Sequence, residues 1–271
     1  RYMRAFYLAY PSETLQQPAA DSSACAQPFS FLQQLAANLP WGHVTVLIEK
    51  VKDTDLRTWY AESVIEHGWS RAILIHQIDT NLHKRQGKAI TNFAGQLPAP
   101  QSELAQQITK DPYIFDFLTL TADAKEKELH LGLVASVQKM LLELGRGFAF
   151  VGSQYHVVVE GHDYYIDLLF YHTLLHCYVV IDLKVDDFKP EYAGKMNFYL
   201  SAVDNLVKQP LDEPSIGMII CQSRNKTVVE YSLKDSNKPV GVAEWVVTST
   251  LDENLRGKLV MVDELENYLH P

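Results

Sequence analysis

The stretch DYYIDLLFYHTLLHCYVVIDLKVDDF, residues 163 to 188, constrains this chain more than any other. Its runs YYIDLLFY and CYVVIDLKV are rich in β-branched and aromatic residues, have the length of strands, and meet through HTLLH, the pattern of a β-hairpin. Inside these apolar runs stand Asp167, Asp182 and Lys184. If the turn is Leu174–Leu175, paired positions sum to 349 and Asp167 faces Asp182. Side chains alternate along a strand, so Lys184, two residues beyond Asp182, projects from the same face as both carboxylates.

Like charges opposite one another destabilise a strand pair, and an unpaired buried carboxylate costs several kcal/mol or shifts its pKa. A divalent cation is one compensation. Two carboxylates about 5 Å apart across a strand pair suit Mg²⁺, which takes one or two carboxylates and keeps several waters. A neighbouring lysine polarises water or steadies charge developing on a phosphate. The other compensation is structural: Lys184 pairs with Asp182 alone and Asp167 stays hydrated at the sheet's end. Spacing does not decide between the two.

Around the hairpin the hydrophobic period divides the chain. Val44, Leu47, Ile48 and Val51, then Trp59, Val64 and Ile65, then Ile73, Leu74 and Ile78 recur at helical spacing, giving three or four short helices with Asp53, Asp55 or Ser70 as N-caps. Residues 11 to 30, rich in Pro, Ser, Ala and Gln, read as a linker, and residues 85 to 112, with LPAP and KDPY, as a connector. A long helix is expected from Asp123 to Leu144 on the stripe Leu133, Val137, Met140 and Leu144, with Gly145 ending it in the left-handed conformation. FAFVGSQYHVVVEG, the two hairpin runs and SIGMIICQ follow as strands, with KPEYAGKMNFYLSAVDNLV as a helix before the last. The fold class is therefore α/β: a helical domain over residues 1–110 and a mixed-sheet domain over 111–271.

Composition narrows the function. At 271 residues and 47% hydrophobic the chain can bury a sizeable core. Its longest apolar runs are too short for a bilayer, and no signal peptide is visible, which points to the cytoplasm. Cys25, Cys177 and Cys221 form neither a disulfide framework nor a zinc spacing. His172 and His176 beside Cys177 lack a clear fourth ligand for zinc. A net charge of -9 argues against coating nucleic acid by bulk attraction. Nucleotide-binding glycine motifs are absent, and Ser153 lacks a nucleophile-elbow context.

The order Asp, about fifteen residues, Asp or Glu, any residue, Lys on a hairpin resembles the PD-(D/E)XK nuclease superfamily. The blocks FAFVG, YIDLLFYH, FKPEYAGKMNFYL and NKTVVEY resemble the nuclease domain of the bacterial YhcG-like family. LPWGHVTVLIEKVKD through EHGWSRAILIHQIDTNLHKR resembles that family's N-terminal, winged-helix-like domain, and RYMRAFYLAYP the last helix of an earlier segment of it, so that the start of that domain is expected to be missing. The family usually has Glu where this chain has Asp182. The resemblance implies a restriction-endonuclease-like fold acting on DNA with Mg²⁺ or Mn²⁺. Asp167 and Asp182 would bind the metal, Glu143 would complete its shell, and Lys184 would be the catalytic lysine. Gln154, Lys195, Arg224 and Lys226 would contact nucleic acid. Superfamily nucleases often form homodimers, the arrangement implied for cutting two strands. The rival reading is a DNA-binding or assembly module on a nuclease fold that does not cut.

Overall fold

The computed structural model describes residues 38–118 and 126–247. The linker, Cys25, the RYMRAFYLAYP segment and the first residues of the helix expected from Asp123 lie outside the described residues. The chain forms two compact units that divide between Lys84 and Arg85, upstream of the boundary at residue 110 drawn from the sequence.

The first unit is helical: α1 (Trp41–Lys50), α2 (Thr54–His67), α3 (Arg71–Asp79) and the short α4 (Leu82–Arg85), whose last residue belongs to the second unit. Asp53 caps α2 by accepting from the Leu56 N–H at 2.8 Å, and Ser70 caps α3 by accepting from Ile73. Asp55 falls inside the first turn of α2. Gly68 ends α2 at φ 64°, the left-handed region that glycine enters without a Cβ penalty. Val44, Leu47, Tyr60, Val64 and Leu74 form its core, whereas Ile65 is exposed.

The second unit is a mixed sheet between helical layers. Its strands are β1 (Ile90–Thr91), β2 (Tyr113–Ile114), β3 (Phe148–Val159), β4 (His162–His172), β5 (Cys177–Leu183), β6 (Ile216–Cys221) and β7 (Val240–Val246). They run in the order β1-β7-β6-β5-β4-β3, with β2 also pairing with β7. β5, β6 and β7 are parallel, while β3, β4 and β5 form an antiparallel meander. α9 (Pro190–Leu206) crosses between β5 and β6; short helices α5 (Phe93–Gln96) and α6 (Gln101–Gln107) lie in the connector. α10 (Lys226–Lys234) links β6 to β7 and is capped by Asn225.

The helix expected from Asp123 to Leu144 is two helices over its described part, α7 (Glu126–Ala135) and α8 (Val137–Leu144). Ser136, at φ -111° and ψ 31°, breaks them apart. Gly145 ends α8 with a positive φ of 106°, but its ψ of -166° lies outside the left-handed helical region that the sequence suggested.

The sheet separates two cores. On one face Leu168, Phe170, Val179, Ile181, Met218 and Ile220 pack with Leu129 and Leu133 of α7 and Met140 and Leu144 of α8. On the other, Leu169, Val180, Ile219 and Val242 pack with Met196, Leu200 and Val203 of α9. Gly217 lets α9 approach β6 closely, since a Cβ there would lie 2.5 Å from Met196 Cγ.

Candidate active site

The site lies on the β4–β5 hairpin where its pairing ends. The register matches that read from the sequence, with Leu168 opposite Ile181 and His172 opposite Cys177, closed by a four-residue turn from Thr173 to His176. One step beyond Leu168–Ile181 come Asp167 and Asp182, where the ladder has stopped. The N–H of Leu183 would otherwise lack a partner in β4, and the Asp167 carboxylate accepts it at 3.1 Å through Oδ2.

The neighbouring β3–β4 ladder is interrupted at the same level. Ser153 pairs with Leu168 and Tyr155 with Ile166, leaving Gln154 and Asp167 unpaired between them. Gln154 adopts φ 45°, a left-handed conformation that costs a residue with a Cβ about 1–2 kcal/mol. Across this point the strands change phase. Leu168 and Phe170 face the α7–α8 layer, yet Ile166, an even-numbered residue like them, packs with Tyr155 and Val157 in the α9 layer. Such interruptions re-aim side chains next to active sites. Here the Gln154 amide is brought to donate to Asp167 Oδ1 at 3.2 Å.

Asp182 and Lys184 extend from the end of β5 toward α9, on the face that carries Val180. The Lys184 ammonium lies 3.0 Å from Asp182 Oδ2 and 4.0 Å from Asp167 Oδ2. It also donates to the Leu183 carbonyl at 2.9 Å, and its backbone N–H is tied to Ile220 O in β6. Along α9, Tyr192, Lys195 and Tyr199 fall three and four residues apart, the spacing that aligns side chains on one helix face. Lys195 donates to Asp182 Oδ1 at 3.0 Å. The Tyr192 ring sits 5.3 Å from the Lys184 ammonium, and its hydroxyl donates to Asp186. Tyr199 lies 5.2 Å from the Lys195 ammonium, and its hydroxyl donates to the Tyr165 carbonyl at 2.8 Å. The sequence reading passed over both tyrosines, although their spacing from Lys195 in EYAGKMNFYL was visible.

Two charges of this cluster are withdrawn from water, Asp182 at 1% and Lys184 at 5% exposed. Burial first, and then the Asp182 carboxylate, push the Asp167 carboxyl up to about 6, against the pull of Lys184 and the Leu183 N–H. Burial opposes the charge on Lys195, but the Asp182 carboxylate outweighs it and holds its pKa above the usual value. Lys184 approaches Asp182 Oδ2 as an ion pair without hydrogen-bond direction, so this buried oxygen has no hydrogen-bond partner. Two crowded carboxylates, drawn together by cationic side chains, are a donor set that fits a hydrated divalent cation.

Glu143 does not join them. It is buried at the end of α8, against the opposite face of the sheet. Its Oε1 accepts from Arg85 at 2.6 Å and from the Ile114 N–H at 2.9 Å, while Lys110 lies 4.0 Å from Oε2. Among the described residues no three His, Cys, Asp or Glu side chains gather as a metal cluster. That covers both Glu143 as a third metal ligand and the His172–His176–Cys177 alternative. His172 is buried, with its pKa lowered to about 4 by burial, and its Nδ1 accepts from the Leu175 N–H. Arg224 is turned inward onto Asp111, and its backbone N–H donates to Glu244. Lys226 is exposed at the start of α10, 3.7 Å from Glu230.

Comparison with known proteins gives the family. Residues 106–260 match the YhcG PDDEXK nuclease domain, and residues 1–85 match the DUF1016 N-terminal domain. The chain is 28% identical to "Putative nuclease YhcG" of Escherichia coli (strain K12) over 96% of its own length and 73% of the relative's. A repair endonuclease from Pyrococcus abyssi superposes with a TM-score of 0.30 and 14% identity, over 46% of this chain and 48% of that one. Among the described residues no helix is long and apolar enough to cross a membrane. With the β4–β5 hairpin, strands β2 to β7 and helix α9 inside the matched region, this chain belongs to the YhcG PDDEXK nuclease domain family.

Proposed function

We propose that this chain is a divalent-metal-dependent nuclease that hydrolyses phosphodiester bonds of DNA at the Asp167–Asp182–Lys184 site. The observation that carries this reading is the convergence of both carboxylates on one buried ammonium, Lys184 Nζ being 3.0 Å from Asp182 and 4.0 Å from Asp167. A sheet designed for stability alone has no need of it, since apolar residues of similar volume do as well or better than a buried ion pair. Asp167 and Asp182 would hold Mg²⁺ or Mn²⁺. When bound, the cation supplies a Lewis acid and lowers the pKa of a coordinated water.

The protein's own groups then divide the work. Lys184, pinned by the Leu183 carbonyl and the Tyr192 ring, presents a fixed positive charge toward the reacting phosphate. Gln154 orients Asp167. Lys195, half-exposed on α9, would meet the nucleic-acid backbone. Arg224 has no such role in this reading because Asp111 holds it.

The test is cleavage of linear duplex, supercoiled plasmid, branched and single-stranded DNA, and RNA, in Mg²⁺, Mn²⁺ or EDTA. Cutting of DNA that needs the metal and is lost in both Asp182→Ala and Lys184→Ala is expected. Binding of DNA without cutting, unchanged by either substitution, would instead establish the non-cleaving module.

A further inference from the structure

Asp182 is held by two ammonium groups that differ in how they are fixed. Lys184 is buried, with its side chain 6% exposed, and anchored at its backbone and at Nζ. Lys195 reaches Asp182 from the surface of α9 with its side chain 41% exposed, and it takes Oδ1, the oxygen that Lys184 does not face. A lysine stem has several low-cost rotamers, so an outward swing of Lys195 needs no rearrangement of sheet or helix.

We infer that Lys195 is a built-in competitor for the metal seat: its ammonium occupies the coordinating lone pair of Asp182 Oδ1, and a divalent cation binds by displacing it. The inference rests on the metal reading proposed above and adds to it an exchange of one cation for another on a single oxygen. An ammonium 3.0 Å from the oxygen blocks that coordination position and repels an incoming dication, so the site's apparent affinity is reduced to the fraction of time that Lys195 is swung away. The exchange also frees the Lys195 charge on the outer face of α9. The cation would therefore load the site and release a phosphate-seeking ammonium in one step.

The test measures Mn²⁺ binding to the full chain without nucleic acid, by electron paramagnetic resonance of free Mn²⁺. It compares wild type with Lys195→Met, Lys195→Arg and Lys226→Met. Lys226 is exposed, lies 3.7 Å from Glu230 on its own helix, and in this measurement without nucleic acid controls for a general change of net charge. Lys195→Met is expected to bind Mn²⁺ about tenfold more tightly than wild type, a change of the size expected when a partly exposed pairing and its repulsion are removed. Lys195→Arg and Lys226→Met should stay close to wild type. Equal or weaker binding by Lys195→Met, or an equal gain in Lys226→Met, would overturn the competition while leaving the metal site intact. Absence of Mn²⁺ binding in every chain would remove the metal reading itself, and this inference with it.

Discussion

Gln154 and Asp167 face each other at an unpaired level of the β3–β4 ladder, between Ser153–Leu168 and Tyr155–Ile166, and the Gln154 amide donates to Asp167 Oδ1 at 3.2 Å. The backbone of Gln154 is held at φ 45° to do so. Strain of this kind persists where it serves positioning rather than stability. Gln154→Gly should therefore fold at least as stably as wild type, within about 1 kcal/mol, because glycine accepts the positive φ. Its cleavage rate should nevertheless fall about tenfold, as expected for a lost orienting hydrogen bond. Gln154→Val should lose on the order of 2 kcal/mol of stability, since a β-branched residue fits that conformation worst. Urea unfolding of the two variants, set against their cleavage rates, separates strain from function.

The Asp167 carboxyl gives a pH signature. Its pKa rises from 3.8 to about 6 on folding, through burial first and the Asp182 carboxylate second. The folded chain thus holds a proton that the unfolded chain has released between these values. Stability from this group is fully present below about pH 4 and is lost as pH rises through about 6. Asp167→Asn, unfolded by urea in EDTA, should therefore be more stable than wild type at pH 7 by on the order of 2 kcal/mol. The difference should close toward pH 4. A gap that does not change with pH would show that the carboxyl is not perturbed as described.

Glu143 separates a structural role from a metal-binding one. Its carboxylate is fully enclosed by Arg85, Lys110 and the Ile114 N–H. Removing one member of a buried charge set leaves the others uncompensated, at about 3–5 kcal/mol. Glu143→Gln should lower the denaturation midpoint accordingly, while its folded fraction binds Mn²⁺ with wild-type affinity. Loss of Mn²⁺ binding without loss of stability would return Glu143 to the metal site.

Tyr192 braces Lys184 through its ring, 5.3 Å from the ammonium. A cation–π contact of this kind contributes about 0.5–2 kcal/mol. Tyr192→Leu should slow cleavage about tenfold with DNA affinity little changed, and Tyr192→Phe, which keeps the ring, should retain most of the rate. Equal losses in both would shift the role to the hydroxyl and its partner Asp186.

The hairpin and its three charges were legible because period-two alternation and a short turn leave one register that buries the apolar face. Leu168 does pair with Ile181 as that register requires. The phase change at Gln154 was hidden, since nothing in a Gln between Ser and Tyr announces a positive φ. The enclosure of Glu143 was hidden because its partners Arg85 and Lys110 lie 58 and 33 residues away, beyond what local spacing can report. The pairing of Arg224 was hidden for the same reason, its partner Asp111 being 113 residues distant. Tyr192 and Tyr199 were open to discovery by their helical spacing from Lys195, a pattern that reads equally well as core until the end of β5 is placed beside it.

The measurement that bears most directly on the account is single-turnover cleavage of DNA in Mg²⁺ by wild type and by Lys184→Met, with DNA binding followed in parallel. A charge that stabilises the transition state alone should cost about 10²–10³ in rate when removed, and affinity should change little. A wild-type rate in Lys184→Met would contradict the central claim, because the residue at the focus of both carboxylates would then have no part in the chemistry.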